Sequence, residues 1–301
     1  MSVYGLNNAF NQVTTRYDAS HEVLWTFMNQ KSRIPCYNGE ILSELNQHHS
    51  EIEKTGGILS TDEGIFNIRY SVAASITPNV FNLGGHLALI RELARNRQKE
   101  ALLDYAMRGL NVLAQRTFRF NIPSLITISL LQGETLGAGL EAALTSDVVI
   151  AERKSILAFP EIMFNLFPGM GAYSLVARKA GFKVADEMIH SGKLYTAEEC
   201  FNLGVVDVLV EDGEGEAAVY KWIEKNKRTS NGFLAIQKAK NRVLPITYEE
   251  LVDITHIWLD AALKLSERDF KVMERFVTSQ ERRYLQPAQN YDNVIQLPKI
   301  A

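Results

Sequence analysis

The segment that most constrains the fold is an apolar strand followed by a glycine-rich turn, a short helix and a second apolar strand. The stretch at residues 124–131 reads SLITISLL, Gly133, Gly137 and Gly139 follow it, and the run DVVIAE begins at Asp147. Strands without polar alternation are typical of sheets that are covered on both faces. Because strand and helix patterns continue to alternate to about residue 210, we predict α/β architecture with mainly parallel strands.

Hydrophobic periodicity divides the chain into a core and a helical region. Alternating apolar residues predict strands at about residues 21–29 and 65–76, with a helix over 38–57 between them. A long helix is predicted from His86 to about Arg119, and after Gly213 only helical stripes continue. The resulting prediction is a core at residues 20–212, a C-terminal helical region at 213–285, and flexible ends at 1–19 and 286–301.

Charge and cysteine content argue against several classes of function. The 301-residue chain has a net charge of -3 and a pI of about 6.1, whereas general nucleic-acid binding needs a basic excess. Cys36 and Cys200 lie far apart and provide neither a disulfide framework nor metal-ligand spacing. No secretory signal or stretch of ~20 apolar residues is present. We expect a cytoplasmic protein with no membrane span, no nucleic-acid partner, no metal and no cofactor.

The glycine turn before the short helix looks like a phosphate-binding loop, but it contains a carboxylate. Glu141 lies where the helix begins, and no Lys-Ser or Lys-Thr pair follows the glycines. A carboxylate would repel a phosphate, whereas it is compatible with a neutral carbonyl that becomes negative only during reaction. We interpret the turn as an oxyanion hole for an enolate, with Glu141 moving protons beside it.

Two further stretches supply the groups that this chemistry needs. FNLGGHLAL, residues 81–89, is a second strand-to-helix turn, with the paired glycines Gly84 and Gly85. FPEIMFNLFPGMGA, residues 159–172, places Glu161 in an apolar stretch. Such surroundings raise the pKa of a carboxyl group, which suits a proton shuttle near neutral pH. A lone glutamate in such a stretch is usually solvent-facing, but two glutamates tied to glycine turns favour a catalytic pair.

These stretches together resemble a known superfamily. FNLGGHL, LQGETLGAGLEAALTSDVVIAE, FPEIMFNLFPGMGAYSL and SGKLYTAEECFNLGVVDVLV occur in order between about Phe81 and Val210. This combination resembles the crotonase (enoyl-CoA hydratase/isomerase) superfamily, which implies its α/β spiral core and C-terminal oligomerisation helices. More narrowly, VFNLGGHLALI, FPGMGAYS and THIWLDAALKL resemble the bacterial diffusible signal factor synthases. Those enzymes make a cis-2-unsaturated fatty acid signal from a 3-hydroxyacyl carrier-protein thioester.

The resemblance implies a role for four residues. The two oxyanion donors fall on the backbone N–H groups of Gly85 and Ala138, and most relatives carry glycine at the second position. The two acid–base carboxylates fall on Glu141 and Glu161, and the pair is what addition or removal of water across C2–C3 uses. By analogy with hydratases run in reverse, Glu161 takes the C2 proton and Glu141 protonates the leaving hydroxyl group. In the signal synthases the same site also hydrolyses the thioester.

The resemblance also suggests how the acyl chain and its carrier are bound. Leu136, Met170 and Trp258 are candidates for an apolar tunnel, although core packing would equally explain each of them. The segment NQKSRIPCYNGEIL departs from the motif that many CoA-using relatives carry, which favours an acyl carrier protein over CoA as the carrier. In the family the C-terminal helices pack trimers together, so a trimer-based homo-oligomer is expected.

Three functions therefore remain open at this point. The leading prediction is a signal synthase that acts as dehydratase and thioesterase on a 3-hydroxyacyl acyl carrier protein. The second is an ordinary enoyl-CoA hydratase. The third is a non-catalytic crotonase-fold protein that binds a regulatory signalling protein, which the retention of both glutamates disfavours.

Overall fold

The computed structural model describes residues 3–4, 10–30, 33–61 and 64–285. The largest sheet is parallel from its third strand onward. In spatial order its strands are β1 (Val3–Tyr4), β2 (Val13–Asp18), β3 (Val23–Met28), β6 (Tyr70–Ser75), β8 (Ile126–Leu131), β10 (Val148–Glu152) and β13 (Val208–Val210). Every residue of β8 and β10 is buried, as expected for strands that are covered on both faces. The predicted α/β architecture is confirmed.

A smaller sheet brings the two predicted glycine turns together. Its strands, in spatial order, are β12 (Tyr195–Thr196), β11 (Ile156–Ala158), β9 (Glu134–Leu136) and β7 (Val80–Asn82). β7 and β9 are parallel neighbours, so their carboxyl ends lie at the same edge of the sheet. Because each of these strands leads into a glycine turn, the two turns meet at that edge. A separate hairpin is formed by β4 (Ile58–Thr61) and β5 (Gly64–Asn67).

The helices follow the predicted order, with one division that the sequence did not indicate. They are α1 (Gly39–Lys54), α2 (Leu87–Arg95), α3 (Lys99–Thr117), α4 (Ala138–Leu144), α5 (Ala172–Ala180), α6 (Phe182–Ser191), α7 (Ala197–Asn202), α8 (Gly215–Asn226), α9 (Ser230–Val243), α10 (Tyr248–Ala262) and α11 (Glu267–Tyr284). The single helix predicted from His86 to Arg119 is two helices, because Arg97 adopts a left-handed conformation with φ 52°. Similarly, the strand predicted at 65–76 is divided between β5 and β6.

The expected flexible N-terminal end at residues 1–19 is wrong for residues 13–18. These residues form β2, which pairs with β3 along its whole length. The buried carboxylate of Glu44 on α1 accepts hydrogen bonds from the backbone N–H groups of Asn11 (2.8 Å) and Gln12 (2.9 Å), which fixes the start of the strand. The predicted flexible end at 286–301 lies outside the described residues.

The C-terminal helices pack against the α/β body and share a core with it. α10 packs on α3, and α11 packs on α2. One apolar cluster contains residues from both regions, namely Ile90, Leu93, Leu102, Ala106, Phe164, Leu166, Trp258, Leu259, Ala262, Phe270, Met273 and Phe276. This burial accounts for the apolar stripes in the tail. In the described parts of the chain, no helix combines the length and apolarity that crossing a membrane requires.

Candidate active site

The turn after β7 leaves one of its three consecutive amides without an acceptor. The N–H of Gly84 donates to Asn82 Oδ1 at 2.8 Å, and the N–H of His86 donates to the Tyr105 hydroxyl oxygen at 2.8 Å. Within the described residues, the N–H of Gly85 between them donates to no acceptor. Gly85 lines an apolar cavity, so its amide is available to a ligand there.

The turn after β9 also leaves a backbone amide without an acceptor. The N–H of Gly137 donates to the carbonyl oxygen of Ala158 at 2.9 Å, whereas the N–H of Ala138, at the start of α4, has no acceptor in the described parts of the chain. The first amides of a helix have no partner inside it and attract negative charge. Gly84 brings the turns into contact, since a Cβ at that position would lie 2.8 Å from the Leu136 carbonyl oxygen and 3.0 Å from the Ala138 nitrogen.

Glu141 lies one turn along α4 and is fixed by the loop before α5. Its Oε1 atom accepts hydrogen bonds from the backbone N–H groups of Met170 (2.8 Å) and Ala172 (2.9 Å). The residue is 1% exposed. Burial raises the pKa of Glu141 to about 7, although the two N–H groups act in the opposite direction and favour the charged form.

Glu161 lies on the short 3-10 helix Pro160–Phe164 that follows β11. Its Oε2 atom is shielded from solvent and has no hydrogen-bond partner in the described structure. Burial first, and then the negative charge of Glu141, raise the pKa of Glu161 to about 8, and the N–H of Glu161 itself acts in the opposite direction. A Cβ at Gly137 would overlap with Glu161 Oε1, so glycine there lets this carboxylate lie against the turn.

One apolar cavity joins these groups. Its empty volume is about 610 Å³, part of which is open to solvent. The predicted site residues Gly85, Ala138, Glu141, Glu161, Met170 and Trp258 all line it, together with Tyr37, Leu42, Leu87, Ile90, Tyr105, Ala106, Gly109, Phe164, Leu166, Phe167, Pro168 and Gly169. Because the walls are almost entirely apolar, charge that develops on a bound carbonyl is stabilised by the amides rather than by water.

Leu136, the remaining candidate for binding the acyl chain, is not among the residues that line this cavity. Its side chain packs with Val80, Leu83 and Ala158 in a separate apolar cluster. The sequence places Leu136 beside the turn, but it does not indicate which way the side chain of this last β9 residue faces.

Sequence reasoning missed the contacts that hold the loop before α5. A Cβ at Gly169 would overlap with the Trp258 ring, and a Cβ at Gly171 would overlap with the Leu251 side chain. The Thr255 hydroxyl donates to the Gly169 carbonyl oxygen at 3.1 Å. The glycines of FPGMGAYS therefore let α10 press directly on the loop whose amides bind Glu141. The repeated glycines were the available signal, since close backbone approach commonly requires glycine.

Gly109 was also missed, and it explains how Met170 reaches the cavity. A Cβ at Gly109 would lie 2.8 Å from the Met170 sulfur atom. Glycine inside a helix such as α3 is unfavourable by about 1 kcal/mol relative to alanine, so its presence there signals a close contact.

Basic clusters that could receive an acidic carrier are partly neutralised. Arg91 and Arg95 on α2 pair with Glu274 and Glu267 on α11. On α5, Arg178 pairs with Glu250 of α10. These pairs favour a structural role for the basic residues that they involve.

The described residues contain no group of three or more His, Cys, Asp or Glu side chains that could hold a metal ion. The adjacent histidines His48 and His49 on α1 are both buried. His48 Nε2 forms a hydrogen bond with the Thr26 hydroxyl at 2.9 Å.

Paired free amides and paired carboxylates, carried by parallel strands into one apolar cavity, define a protein of the crotonase class. The chain belongs to the enoyl-CoA hydratase/isomerase family, whose model matches residues 66–277. An Arabidopsis thaliana protein named "Probable enoyl-CoA hydratase 2, mitochondrial" is 34% identical over 176 residues, which are 58% of this chain. The matched region spans about half of that relative, 55% of its length.

Solved structures share the same fold at low sequence identity. An enoyl-CoA hydratase from Bacillus halodurans superposes with a TM-score of 0.67 at 18% identity, covering 88% of this chain and 100% of that one. Pseudomonas aeruginosa DspI superposes with a TM-score of 0.61 at 21% identity, covering 92% and 98%. The crotonase-like α/β fold with its C-terminal helical region is thus confirmed.

Proposed function

We propose that the protein dehydrates a 3-hydroxyacyl thioester and then hydrolyses the 2-enoyl thioester, releasing a cis-2-unsaturated fatty acid of the diffusible signal factor type. The observation that carries the proposal is that Glu141 and Glu161 share one apolar cavity with the free amides of Gly85 and Ala138. The motifs VFNLGGHLALI, FPGMGAYS and THIWLDAALKL support the narrower assignment to the signal synthases.

In the first step the thioester carbonyl accepts hydrogen bonds from Gly85 and Ala138. These amides stabilise the enolate, and loss of one such donor typically costs about 100- to 1000-fold in rate. Glu161 takes the C2 proton, and Glu141 gives a proton to the 3-hydroxyl group, which leaves as water. The step ends with Glu161 protonated and Glu141 ionised.

The second step starts from that protonation state. Ionised Glu141 accepts a proton from the water molecule, whose oxygen forms a bond to the thioester carbon. The tetrahedral intermediate places its negative oxygen between the same two amides. When the C–S bond breaks, Glu161 returns its proton to the thiolate. The products are the unsaturated acid and the free thiol, and the two glutamates regain their starting protonation states.

The electrostatics of the cavity favour the protonation state from which the second step starts. A pKa of about 7 for Glu141 and about 8 for Glu161 gives the pair a single proton between these pH values. The amides of Met170 and Ala172 favour ionised Glu141, which is the state that water activation requires. Dehydration requires the opposite placement of the proton, which the higher pKa of Glu161 makes the less populated one.

A second candidate is the simple hydration of a 2-enoyl-CoA thioester. The family membership and the plant relative favour it. The resting protonation state is also suited to it, because ionised Glu141 would activate water while protonated Glu161 would supply the C2 proton. The two candidates differ in whether a free acid is released.

The partners in this proposal are an acyl carrier protein, or CoA, and further copies of the chain. A trimer-based homo-oligomer is supported by exposed apolar residues on the C-terminal helices, such as Ile236, Val243 and Ile257 at 67%, 76% and 60% exposure. A regulatory signalling protein remains a further proposed partner.

Mass spectrometry of the products distinguishes these functions. The purified protein would be incubated with 3-hydroxydodecanoyl thioesters of acyl carrier protein and, separately, of CoA. Free 2-dodecenoic acid that is absent with Glu141→Ala and Glu161→Ala is the expected result, and its double-bond geometry is assigned by comparison with cis and trans standards. Interconversion of hydroxyacyl- and enoyl-CoA without free acid would establish the simple hydratase instead. A folded protein that turns over neither substrate would overturn both.

A further inference from the structure

The hydroxyl group of Tyr105 connects two backbone segments beside the Gly85 amide. It accepts a hydrogen bond from the N–H of His86 at 2.8 Å and donates its own hydrogen to the carbonyl oxygen of Tyr37 at 2.6 Å. A hydroxyl group has one hydrogen, so these two bonds together fix the direction of its O–H. Tyr105 also lines the cavity, and a Cβ at Gly85 would lie 3.5 Å from its oxygen.

The Tyr37 backbone holds the same turn from its other side. The N–H of Tyr37 donates to the carbonyl oxygen of Gly84 at 2.8 Å. In a trans peptide, the C=O and N–H groups point in opposite directions. The bond to the Gly84 carbonyl therefore directs the N–H of Gly85 away from the Tyr37 backbone.

Both polar groups of the Tyr37 backbone are thus tied to the turn, one directly and one through Tyr105. Residues 37 and 85 form an isolated parallel β-bridge. The Tyr105 hydroxyl links the Tyr37 carbonyl oxygen to the N–H of His86, the residue that follows Gly85. It also occupies the His86 N–H, which would otherwise be a second free donor beside that of Gly85. The site keeps a single amide of this turn available to a ligand.

We infer that Tyr105 is a positioning residue, whose hydroxyl group sets the direction of the Gly85 amide toward the thioester carbonyl. The inference rests on the proposed function, because it assigns the Gly85 N–H to that carbonyl. Removing the hydroxyl takes away the acceptor that lies 2.8 Å from the His86 nitrogen and the donor that lies 2.6 Å from the Tyr37 carbonyl oxygen, so the turn can rotate. Since catalytic electrostatics depends on donors that are already in place, the transition state loses more than the ground state.

The test compares Tyr105→Phe with Tyr17→Phe. Tyr17 is a matched control, because its buried hydroxyl also donates to a backbone carbonyl, that of Asn67 at 2.7 Å, but it does not line the cavity. We expect Tyr105→Phe to lower kcat about 10- to 100-fold with KM changed less than about threefold. Tyr17→Phe should leave both constants within about twofold of wild type, although both variants lose a buried hydrogen bond and some thermal stability.

A spectroscopic measurement separates positioning from a general loss of stability. An enoyl thioester with a 13C-labelled carbonyl is bound to each protein, and its carbonyl stretch is recorded by infrared difference spectroscopy. Wild type and Tyr17→Phe should shift the stretch to lower frequency, and Tyr105→Phe should shift it clearly less. If Tyr105→Phe does not fold, 3-fluorotyrosine at position 105 retains a more acidic hydroxyl that is a weaker acceptor, and an intermediate fall in kcat is expected.

The outcomes distinguish the inference from the proposed function. An unchanged kcat and carbonyl shift in a folded Tyr105 variant would overturn the positioning role while wild-type turnover stands. Equal losses in the Tyr17 and Tyr105 variants would also overturn it. No turnover and no carbonyl shift in wild type would instead reject the proposed function, and the inference with it.

Discussion

Glu141 and Glu161 are the same residue type in the same cavity, yet they differ in what surrounds each carboxylate. Glu141 accepts two backbone hydrogen bonds from the loop before α5, whereas Glu161 Oε2 has no partner among the described residues. Burial raises both pKa values, to about 7 and about 8 respectively. The difference shows that burial brings the pair into the physiological range, while the backbone donors decide which member ionises first.

Replacing each glutamate by glutamine should produce the largest effect among the tests of this comparison. Both variants should lose about 10²- to 10⁴-fold in dehydration rate, because glutamine cannot exchange a proton. With a preformed 2-enoyl thioester, Glu141→Gln should also abolish hydrolysis. Glu161→Gln should retain measurable hydrolysis, because a thiol with a pKa of about 8.5 can leave as the thiolate without being protonated by an acid. Product release followed by mass spectrometry measures both steps.

Exposed Glu214 provides the control, since Glu214→Gln should leave both rates unchanged. Equal loss of hydrolysis in the two active-site variants would show that the glutamates do not divide the work as proposed.

Moving the N–H groups of Met170 and Ala172 away from Glu141 should reduce the pKa difference between the two carboxylates. Gly169→Ala introduces a Cβ that overlaps with Trp258, so the loop must shift and weaken the Met170 hydrogen bond to Glu141. We expect about a 10- to 100-fold loss of kcat/KM and an acidic limb of the pH–rate profile displaced to higher pH.

Gly232→Ala is the matched control, because a Cβ at Gly232 on α9 would have no neighbour within 4 Å. Wild-type pH dependence in a folded Gly169→Ala protein would contradict the role assigned to these amides.

The pH dependence of the wild-type enzyme reports the pair directly. One proton must be present on the two carboxylates, so kcat/KM should peak between about pH 7 and 8. It should fall about tenfold per pH unit on the acid side, where both are protonated, and on the alkaline side, where both are ionised. If kcat/KM instead stayed constant down to pH 5, the pKa values of Glu141 and Glu161 would not be raised as described.

The smallest expected effect is on stability. Because the folded pKa of Glu161 is raised to about 8, its neutral form is favoured in the fold, and stability falls as the pH rises from its unfolded pKa through the folded one. Relative to wild type, Glu161→Gln should gain about 1–3 kcal/mol in unfolding free energy between pH 5 and pH 9. Urea denaturation at both pH values measures the change, and an equal difference at both would contradict the raised pKa.

The fold was largely predictable because it depends on local patterns. The apolar runs of β8 and β10 identify buried strands without any tertiary information. β2 was missed because Thr14 and Arg16 make the segment read as polar, although Val13, Thr15 and Tyr17, which alternate with them, are buried.

The site was predictable only in part, because its details depend on contacts between distant residues. Turns and a family resemblance pointed to both glutamates and both amides, which the structure brings to one cavity. The link from Tyr105 to His86, the contact of Trp258 with Gly169, and the packing of Leu136 all depend on how separate elements meet. No periodicity within one element contains that information.

The contact between α10 and the loop before α5 has a consequence for how the protein matures. Chains leave the ribosome from the N-terminus, so both glutamates and both glycine turns emerge well before Trp258. Until α10 has folded onto Gly169, the loop that donates to Glu141 lacks its support and the cavity lacks part of its wall. Catalytic competence should therefore arise only after α10 has been synthesised and folded, although both glutamates are synthesised before it.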